Sequence, residues 1–212
     1  MDAVVFDFGG VLTNPLHEVL ADWMARDAID PDSFTRVLKQ WYSRRVAPGT
    51  PIHRLETGQL PVAEFNVLLA AELTTVDGSV VAPDGLLDRV FAGMGIDDGM
   101  VALVRELRAL GLRVALLSNS WGNFYPRTLL DSLLDPVVIS EEVGLRKPEA
   151  AIYELTLARL GLPAERVVFL DDSQPNVDGA IAVGMRALLH RDAASTRAAL
   201  APHLDGLAEV HG

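Results

Sequence analysis

The chain of 212 residues contains no cysteine, so no disulfide can stabilise its fold. Charged residues interrupt every apolar run before it reaches the length of a membrane-spanning helix, which argues against a membrane protein. Basic residues are scarce: the sequence contains 18 of them against 29 acidic residues, and the net charge is −11. Such a balance is unfavourable for binding the phosphate backbone of nucleic acids. We therefore expect a partner that is neither a membrane nor a nucleic acid.

Targeting signals and internal repeats are also missing. The first strand is predicted to begin at Ala3, which leaves no room for a signal peptide, and we expect a cytoplasmic protein. Half of the residues are hydrophobic, which is enough for one α/β core or for a core with a small second domain. The sequence leaves open whether the protein is a monomer or a homodimer.

Strand-like and helix-like segments alternate from residue 97 onward. Apolar strands are predicted within LRVALLSNS, PVVIS, RVVFLDDS and RALLH, in addition to the opening VVFDFGG. The segment KPEAAIYELTLARLG predicts a helix that has its proline in the first turn and ends at a glycine. The alternation predicts an α/β fold, a Rossmann-like parallel sheet with helices on both faces.

Residues 15–96 have a different character. Helical periodicity appears in PLHEVLADWMARDA, DSFTRVLKQWYSRR and VAEFNVLLAAELT, and no convincing strand is found. Asn14-Pro15 stands before this segment, and Gly93, Gly95 and Gly99 follow it, so that both crossings are candidates for hinges. We predict an inserted all-helical cap over 15–96 and a Rossmann-like catalytic core over 1–14 and 97–212.

Polar residues stand where three of the predicted strands end, and a lysine precedes a helix on the same side. These residues are Asp7, the pair Ser118 and Asn119, the pair Asp171 and Asp172, and Lys147. The carboxyl ends of parallel strands share one edge of a sheet, where ligands bind. Three carboxylates brought together there repel one another unless a cation lies between them. Hard oxygen ligands in this number favour Mg²⁺, which binds one or two carboxylates together with a phosphate.

The four segments FDFGGVL, LLSNS, RKP and FLDDSQPN resemble, in this order, the motifs of the haloacid dehalogenase superfamily of hydrolases. Within that superfamily the chain is most similar to the sugar-phosphate phosphatases and to the phosphatase domain of soluble epoxide hydrolase. The resemblance implies a Mg²⁺-dependent phosphatase that acts on a small phosphorylated metabolite, a phosphoric monoester hydrolase with a helical cap.

The same resemblance implies a role for each motif residue. Asp7 is the expected nucleophile, which forms an aspartyl-phosphate. Ser118 and Asn119 are expected to hold phosphoryl oxygens, and Lys147 to neutralise charge. The implied metal ligands are Asp7, the Gly9 carbonyl and Asp172, with Asp171 supporting the ion through water.

Gly9 departs from the family pattern, because most phosphatases of the superfamily have there a second aspartate that serves as general acid and base. General acid–base catalysis is worth about 10²- to 10⁴-fold in rate, so we expect turnover to be slowed most for poor leaving groups. The glycine equally suits a strand exit with unusual backbone dihedrals. A replacement acid from the cap would have to be His17, Glu18 or His53, although each is also a plausible surface or packing residue.

Two other functions fit part of the pattern. A metal-independent 2-haloacid dehalogenase would use the same Asp7 on carbon and would also lack the second aspartate, but such enzymes replace the acidic pair that this chain retains as Asp171 and Asp172. A phosphate-ligand binding or regulatory protein with weak catalysis is the third hypothesis, supported by Gly9 alone.

Overall fold

A computed structural model of the chain describes residues 1–42, 48–122 and 124–204. A short 3₁₀-helix, Ala164–Arg166, precedes the fourth strand. The other elements, in chain order, are β1 (Ala3–Phe6), α1 (Leu16–Arg26), α2 (Pro31–Trp41), α3 (Pro51–Glu56), α4 (Val62–Glu72), α5 (Leu86–Val90), α6 (Asp98–Ala109), β2 (Arg113–Ser118), α7 (Arg127–Leu133), β3 (Val137–Ile139), α8 (Ser140–Val143), α9 (Ala150–Leu160), β4 (Val167–Asp171), α10 (Gln174–Ala182), β5 (Arg186–Leu189) and α11 (Ala193–Leu204).

The five strands form one sheet in the order β3-β2-β1-β4-β5, and every neighbouring pair is parallel. Side chains of β1 alternate between two apolar clusters: Val4 and Phe6 pack with α6 on one face, and Val5 packs with α9 on the other. Helices therefore cover both faces, as near-continuous hydrophobic strands require. The predicted Rossmann-like parallel α/β fold is confirmed.

One helix boundary differs from the sequence prediction. Pro148 was expected in the first turn of the helix that follows Lys147, but α9 begins at Ala150. Lys147 and Pro148 lie instead in a turn, where the backbone of Lys147 is held by the side chain of Asn119. The helix ends as predicted, with Gly161 in the left-handed conformation at its C-cap.

Segment 15–96 is helical, and its described residues contain only isolated β-bridges in place of strands. The three predicted helices are present as α1, α2 and α4, and two short helices, α3 and α5, add to them. Residues 43–45 of the second predicted helix lie outside the described residues. Side chains of this segment, among them Trp23, Phe65 and Leu87, form an apolar cluster separate from the two at the sheet. Cap boundaries at 14/15 and 96/97 stay a prediction.

The two crossings between this segment and the sheet run side by side. The Asn14 side chain donates to the Gly93 carbonyl at 3.1 Å and accepts from the Gly95 N–H at 2.8 Å. The Asp97 N–H donates to the Leu12 carbonyl at 2.9 Å. These bonds link the two crossings to each other, and their predicted use as hinges remains a hypothesis. Among the described residues, no helix has the length and apolarity needed to cross a membrane.

Candidate active site

Asp7 is the first residue after β1, and the hydrogen-bonding pattern of the sheet continues through it. Its N–H donates to the Leu170 carbonyl of β4 at 2.9 Å, so the pairing between β1 and β4 continues through the backbone of Asp7. The residue is only 7% exposed. The sequence therefore places one carboxylate at the buried carboxyl edge of the sheet, where parallel α/β folds bind ligands.

Lys147 is buried, with 1% of its surface exposed, and its ammonium bridges two carboxylates. The Nζ atom lies 2.7 Å from Asp7 Oδ1 and 2.6 Å from Asp171 Oδ2. Asn119 holds the lysine backbone on both sides, because its Oδ1 accepts from the Lys147 N–H at 2.9 Å and its Nδ2 donates to the Lys147 carbonyl at 3.1 Å. The lysine is thus held from its backbone as well as from its ammonium.

The two adjacent aspartates differ sharply in their surroundings. Asp171 Oδ1 accepts hydrogen bonds from the Ser173 N–H at 2.8 Å and from Asn176 Nδ2 at 3.0 Å, while Oδ2 bonds Lys147. Both of its oxygens are therefore occupied by protein donors. Within the described residues, no other residue donates a hydrogen bond to the Asp172 carboxylate. Asp172 is also exposed, so its oxygens are available to a ligand.

Burial and mutual repulsion shift the pKa values of this cluster. Burial raises the pKa of Asp7 to about 7; Lys147 opposes this shift, and Asp171 and Asp172 add to it. Although Asp172 is exposed by surface area, the surrounding protein removes part of the water from its carboxyl, and this desolvation raises its pKa to about 6, with the charge of Asp171 contributing. Burial alone would lower the pKa of Lys147, but the charges of Asp171 and Asp7 outweigh that effect and raise it. One ammonium is insufficient for three carboxylates, so the cluster favours a further cation.

The donor set fits a hard divalent cation. Carboxylate oxygens of Asp7, Asp171 and Asp172 all lie within 4.8 Å of one another. Among the residues that the structure describes, no other residue donates to the Asp172 carboxylate, whereas Asp171 is already occupied by Lys147, Ser173 and Asn176. Oxygen ligands of this kind and number suit Mg²⁺, which keeps several waters. Asp7 and Asp172 are accordingly the side chains best placed for direct ligation.

The structure requires glycine at only one of the two positions that follow Phe8. Gly10 has φ +75°, and a Cβ there would lie 2.4 Å from Asp172 Oδ2, so only glycine lets the loop approach that carboxylate. Gly9 has a φ outside the left-handed region, and a Cβ there would meet no atom within 4 Å. The backbone dihedral therefore gives no reason for glycine at position 9.

Ser118 ends β2 beside the same edge, and its hydroxyl is paired. Ser118 Oγ lies 2.9 Å from the Tyr125 hydroxyl. Burial raises the pKa of Tyr125, so it remains a neutral phenol. The sequence prediction that Ser118 and Asn119 hold phosphoryl oxygens stays a prediction; what the structure adds is that Asn119 anchors Lys147.

Glu56, at the end of α3, is a residue of the site that the sequence did not predict. It is 0% exposed, and its carboxylate accepts from Arg146 Nε at 2.5 Å and from Trp121 Nε1 at 3.0 Å. Its carbonyl accepts from Ser140 Oγ at 2.5 Å. We call Glu56, Trp121, Ser140 and Arg146 the cap–core clasp, because these residues join segment 15–96 to the loop after β2, to the start of α8 and to the loop before α9. The only sequence signal was the position of Trp121 and Arg146 beside the second and third motifs.

A cavity of about 240 Å³ opens above the acidic cluster between segment 15–96 and the sheet. Its described lining includes Asp7, Gly9, Lys147 and Asp172 as well as Tyr42 and Glu56. The three cap residues considered as proton donors, His17, Glu18 and His53, are not part of this described lining. His17 and Glu18 are exposed on α1, and the charge of His17 acts on Asp172, where it lowers the pKa of that carboxyl. His53 is half-buried near Arg146, and burial together with the Arg146 charge lowers its pKa.

Comparison with known proteins places this geometry in a family. The family model for haloacid dehalogenase-like hydrolases matches residues 1–184. A phosphatase of Mycobacterium tuberculosis is 31% identical over 219 residues, which cover 99% of this chain and 96% of that protein. A sesquiterpene phosphatase of Aspergillus oryzae is 33% identical over 104 residues, which cover 47% of this chain and 53% of that protein.

Solved structures give the same fold. A haloacid dehalogenase family enzyme of Bacteroides thetaiotaomicron, crystallised with magnesium and inorganic phosphate, superposes with a TM-score of 0.63. The two proteins are 18% identical, and the match covers 90% of this chain and 94% of that one. The phosphatases among the relatives support the predicted enzyme class, a phosphoric monoester hydrolase. The four motifs, the parallel sheet and the family match agree, and the chain belongs to the haloacid dehalogenase-like hydrolase family.

Proposed function

We propose that the protein is a Mg²⁺-dependent phosphatase that hydrolyses a small phosphorylated metabolite through an aspartyl-phosphate on Asp7. One observation carries the proposal: Asp7 lines the cavity and is paired with Lys147 at 2.7 Å, beside an Asp172 carboxylate to which no other described residue donates a hydrogen bond. A nucleophilic carboxylate, a fixed ammonium and a free metal ligand are the parts that covalent phosphoryl transfer needs.

Mg²⁺ would be held by the carboxylates of Asp7 and Asp172 and by the Gly9 carbonyl. When bound, it neutralises charge on the phosphoryl group and relieves the repulsion among the three carboxylates. Asp171 keeps both oxygens on protein donors, so we assign it to positioning Lys147, with any support of the ion passing through water.

In the first step, Asp7 attacks phosphorus. Lys147 bonds Asp7 Oδ1, which leaves Oδ2 as the attacking oxygen. A bond forms between Oδ2 and phosphorus, and the bond between phosphorus and the ester oxygen breaks. The ester oxygen leaves with the bonding electrons and takes up a proton to become the alcohol. Lys147 and the Ser118 hydroxyl would stabilise charge on the phosphoryl oxygens meanwhile.

In the second step, water attacks the phosphorus of the aspartyl-phosphate. A bond forms between the water oxygen and phosphorus, the bond to Asp7 Oδ2 breaks, and inorganic phosphate is released with the Asp7 carboxylate restored. Splitting hydrolysis into two displacements replaces one difficult step by two easier ones.

The described cavity lining offers no obvious replacement for the missing general acid. Glu56 is engaged with Arg146 and Trp121, and burial raises the pKa of the Tyr42 and Tyr125 phenols. A phenol with a raised pKa is a weaker acid. We therefore propose that the departing oxygen takes its proton from water, and that leaving-group acidity governs the rate.

The two alternatives are less well supported. A metal-independent dehalogenase gives no reason for the Asp172 carboxylate beside Asp7, where it adds to the repulsion in the cluster and accepts from no other described residue. A purely regulatory phosphate-binding protein gives no reason for a nucleophile whose oxygen is oriented by a buried lysine. We further propose that segment 15–96 acts as the cap that encloses the substrate, because it supplies one wall of the cavity.

A panel of phosphate esters, acyl phosphates and 2-haloacids, each assayed with and without Mg²⁺, tests the proposal. We expect phosphate release that requires Mg²⁺ and is abolished in Asp7→Asn, whose amide is a poor nucleophile of nearly the same shape. The matched control is Asp22→Asn, on the exposed surface of α1. Halide release without metal, or full activity in a folded Asp7→Asn variant, would contradict the proposal.

A further inference from the structure

We propose that the substrate is a phosphate monoester whose organic part is apolar and compact, about the size of a phenyl ring or a branched five-carbon chain. This inference rests on the proposed phosphatase function and concerns the part of the substrate that is not phosphate. It follows from the chemistry of the cavity wall, from the polar groups that are already paired there and from the volume enclosed.

Apolar side chains from both parts of the chain line the cavity away from the acidic cluster. The main contributors are Leu16, Leu20, Leu38, Phe91, Met94 and Phe124. The first five belong to segment 15–96, and Phe124 follows β2 of the sheet domain. A surface of this composition stabilises a bound group in proportion to the apolar area removed from water.

Aromatic rings close the end of the cavity. Phe91 packs against Phe124 with ring centroids 5.0 Å apart and against Trp121 at 6.3 Å. Tyr42 meets the other side of Trp121 at 6.3 Å. These rings join the cap to the core directly across the cavity, so a substrate held there contacts aromatic faces and edges.

Several polar groups along the described lining are engaged with one another or with neighbouring side chains. Glu56 bonds Arg146 and Trp121, and the Tyr125 hydroxyl bonds Ser118. Asn176 Nδ2 bonds Asp171. A hydroxylated organic part, such as that of a sugar, would bury hydroxyl groups against apolar carbon with few free partners, which costs binding energy.

The cavity volume indicates the size of the part of the substrate that lies inside it. An apolar cavity of about 150 Å³ holds one benzene molecule, with six heavy atoms, so about 25 Å³ serves each heavy atom. At that ratio, the cavity of about 240 Å³ holds about ten heavy atoms. The phosphoryl group with its ester oxygen takes five of them, which leaves about five atoms for the organic part.

Alkylphosphonates test the inference through binding, without turnover. Their carbon–phosphorus bond resists hydrolysis, and affinity for the full-length protein with Mg²⁺ is measured by calorimetry. From methyl- to pentylphosphonate, we expect affinity to rise about threefold for each methylene. A pentylphosphonate carrying hydroxyl groups along its chain should bind at least tenfold more weakly than the unsubstituted one.

Variants of the wall connect that dependence to the cavity. Leu20→Asn and, independently, Leu38→Asn should flatten the rise with chain length and leave methylphosphonate affinity within about twofold. The control is Leu68→Asn, because Leu68 is 39% exposed on α4 and lies outside the cavity lining. It should retain the native dependence. The use of two wall variants protects the test if one of them fails to fold.

The outcomes separate this inference from the proposed function. The inference of an apolar substrate is overturned if affinity does not change with chain length, or if the hydroxylated phosphonate binds as tightly as the unsubstituted one. Mg²⁺-dependent release of phosphate from acetyl phosphate would in that case still support the proposed phosphatase function. If methylphosphonate fails to bind and acetyl phosphate is not hydrolysed, the proposed function falls and the inference falls with it.

Discussion

Replacing Gly9 by aspartate should supply the general acid that the first loop lacks. The position accepts a side chain, since its φ is outside the left-handed region and an added Cβ would meet no atom within 4 Å. Gly9 lines the cavity beside Asp7, so the introduced carboxyl would face the departing oxygen. The carboxylates of Asp7 and Asp172 nearby would raise the pKa of this carboxyl, which keeps part of it protonated near neutral pH.

The expected gain depends on the leaving group. For alkyl phosphates, whose alkoxides leave poorly, Gly9→Asp should raise kcat by about 10²- to 10⁴-fold, the usual worth of general acid catalysis. That range corresponds to about 3 to 5 kcal/mol in activation free energy. For nitrophenyl phosphates, whose phenolates leave readily without a proton, the rate should change little.

A rate series across aryl and alkyl phosphates, measured for the native protein and for Gly9→Asp, is the assay. Gly9→Ala is the matched control, because it adds the Cβ without the carboxyl and should keep the steep native dependence on leaving-group pKa. A native rate that is already insensitive to the leaving group would refute the reasoning. Another group would then supply the proton, and Glu56 and Tyr42, which line the cavity, would be tested before His17, Glu18 or His53.

Three further predictions concern the metal and the clasp. Asp172→Ala should abolish calorimetric Mg²⁺ binding with an unchanged melting temperature, because no other described residue donates to that carboxylate; undiminished binding would show that the ion lies elsewhere. Gly10→Ala should weaken Mg²⁺ binding, since its Cβ would displace Asp172 Oδ2, whereas Gly9→Ala should not; equal affinities would contradict this account. Glu56→Gln should lower the free energy of unfolding by about 3 kcal/mol, because it leaves Arg146 buried without its partner. Adding Arg146→Gln to the same chain should recover part of this loss in urea unfolding. Additive losses of the two substitutions would argue against the pair.

The residues at the carboxyl edge could be predicted because their signal is local. Each motif is a buried strand followed at once by a polar residue, and parallel strands bring such ends together whatever lies between them. Asp7 and Asp171 both contact Lys147 for that reason. The difference between Asp171 and Asp172 could not be predicted, since it depends on Ser173 and Asn176 donating to only one of two adjacent carboxylates.

The cap residues that reach the site had no comparable signal. Helical periodicity predicted α1, α2 and α4 from their apolar faces, but α3 is six residues long, too short for a periodic pattern to define. Glu56 ends that short helix and becomes a site residue only through Trp121 and Arg146, which lie 65 and 90 positions further along the chain. A buried carboxylate of this kind is recognised from its partners, and the partners are known only from the fold.

Gly9 and Gly10 are adjacent in the first loop, but the structure gives a conformational reason for only one of them. From the sequence alone, backbone conformation could explain both Gly9 and Gly10. Only at position 9 did glycine also have a chemical consequence, the loss of the usual general acid. The structure divides them: Gly10 is required by its φ of +75° and by the approach of Asp172, while Gly9 has neither constraint. Because nothing in the backbone or its surroundings demands glycine at position 9, the absent carboxyl has to be explained through the chemistry of the site. A largely apolar cavity with a proposed metal site, whose described lining offers no free general acid, suits a phosphate ester whose alcohol leaves readily or which is hydrolysed slowly, and the leaving-group series separates these two cases.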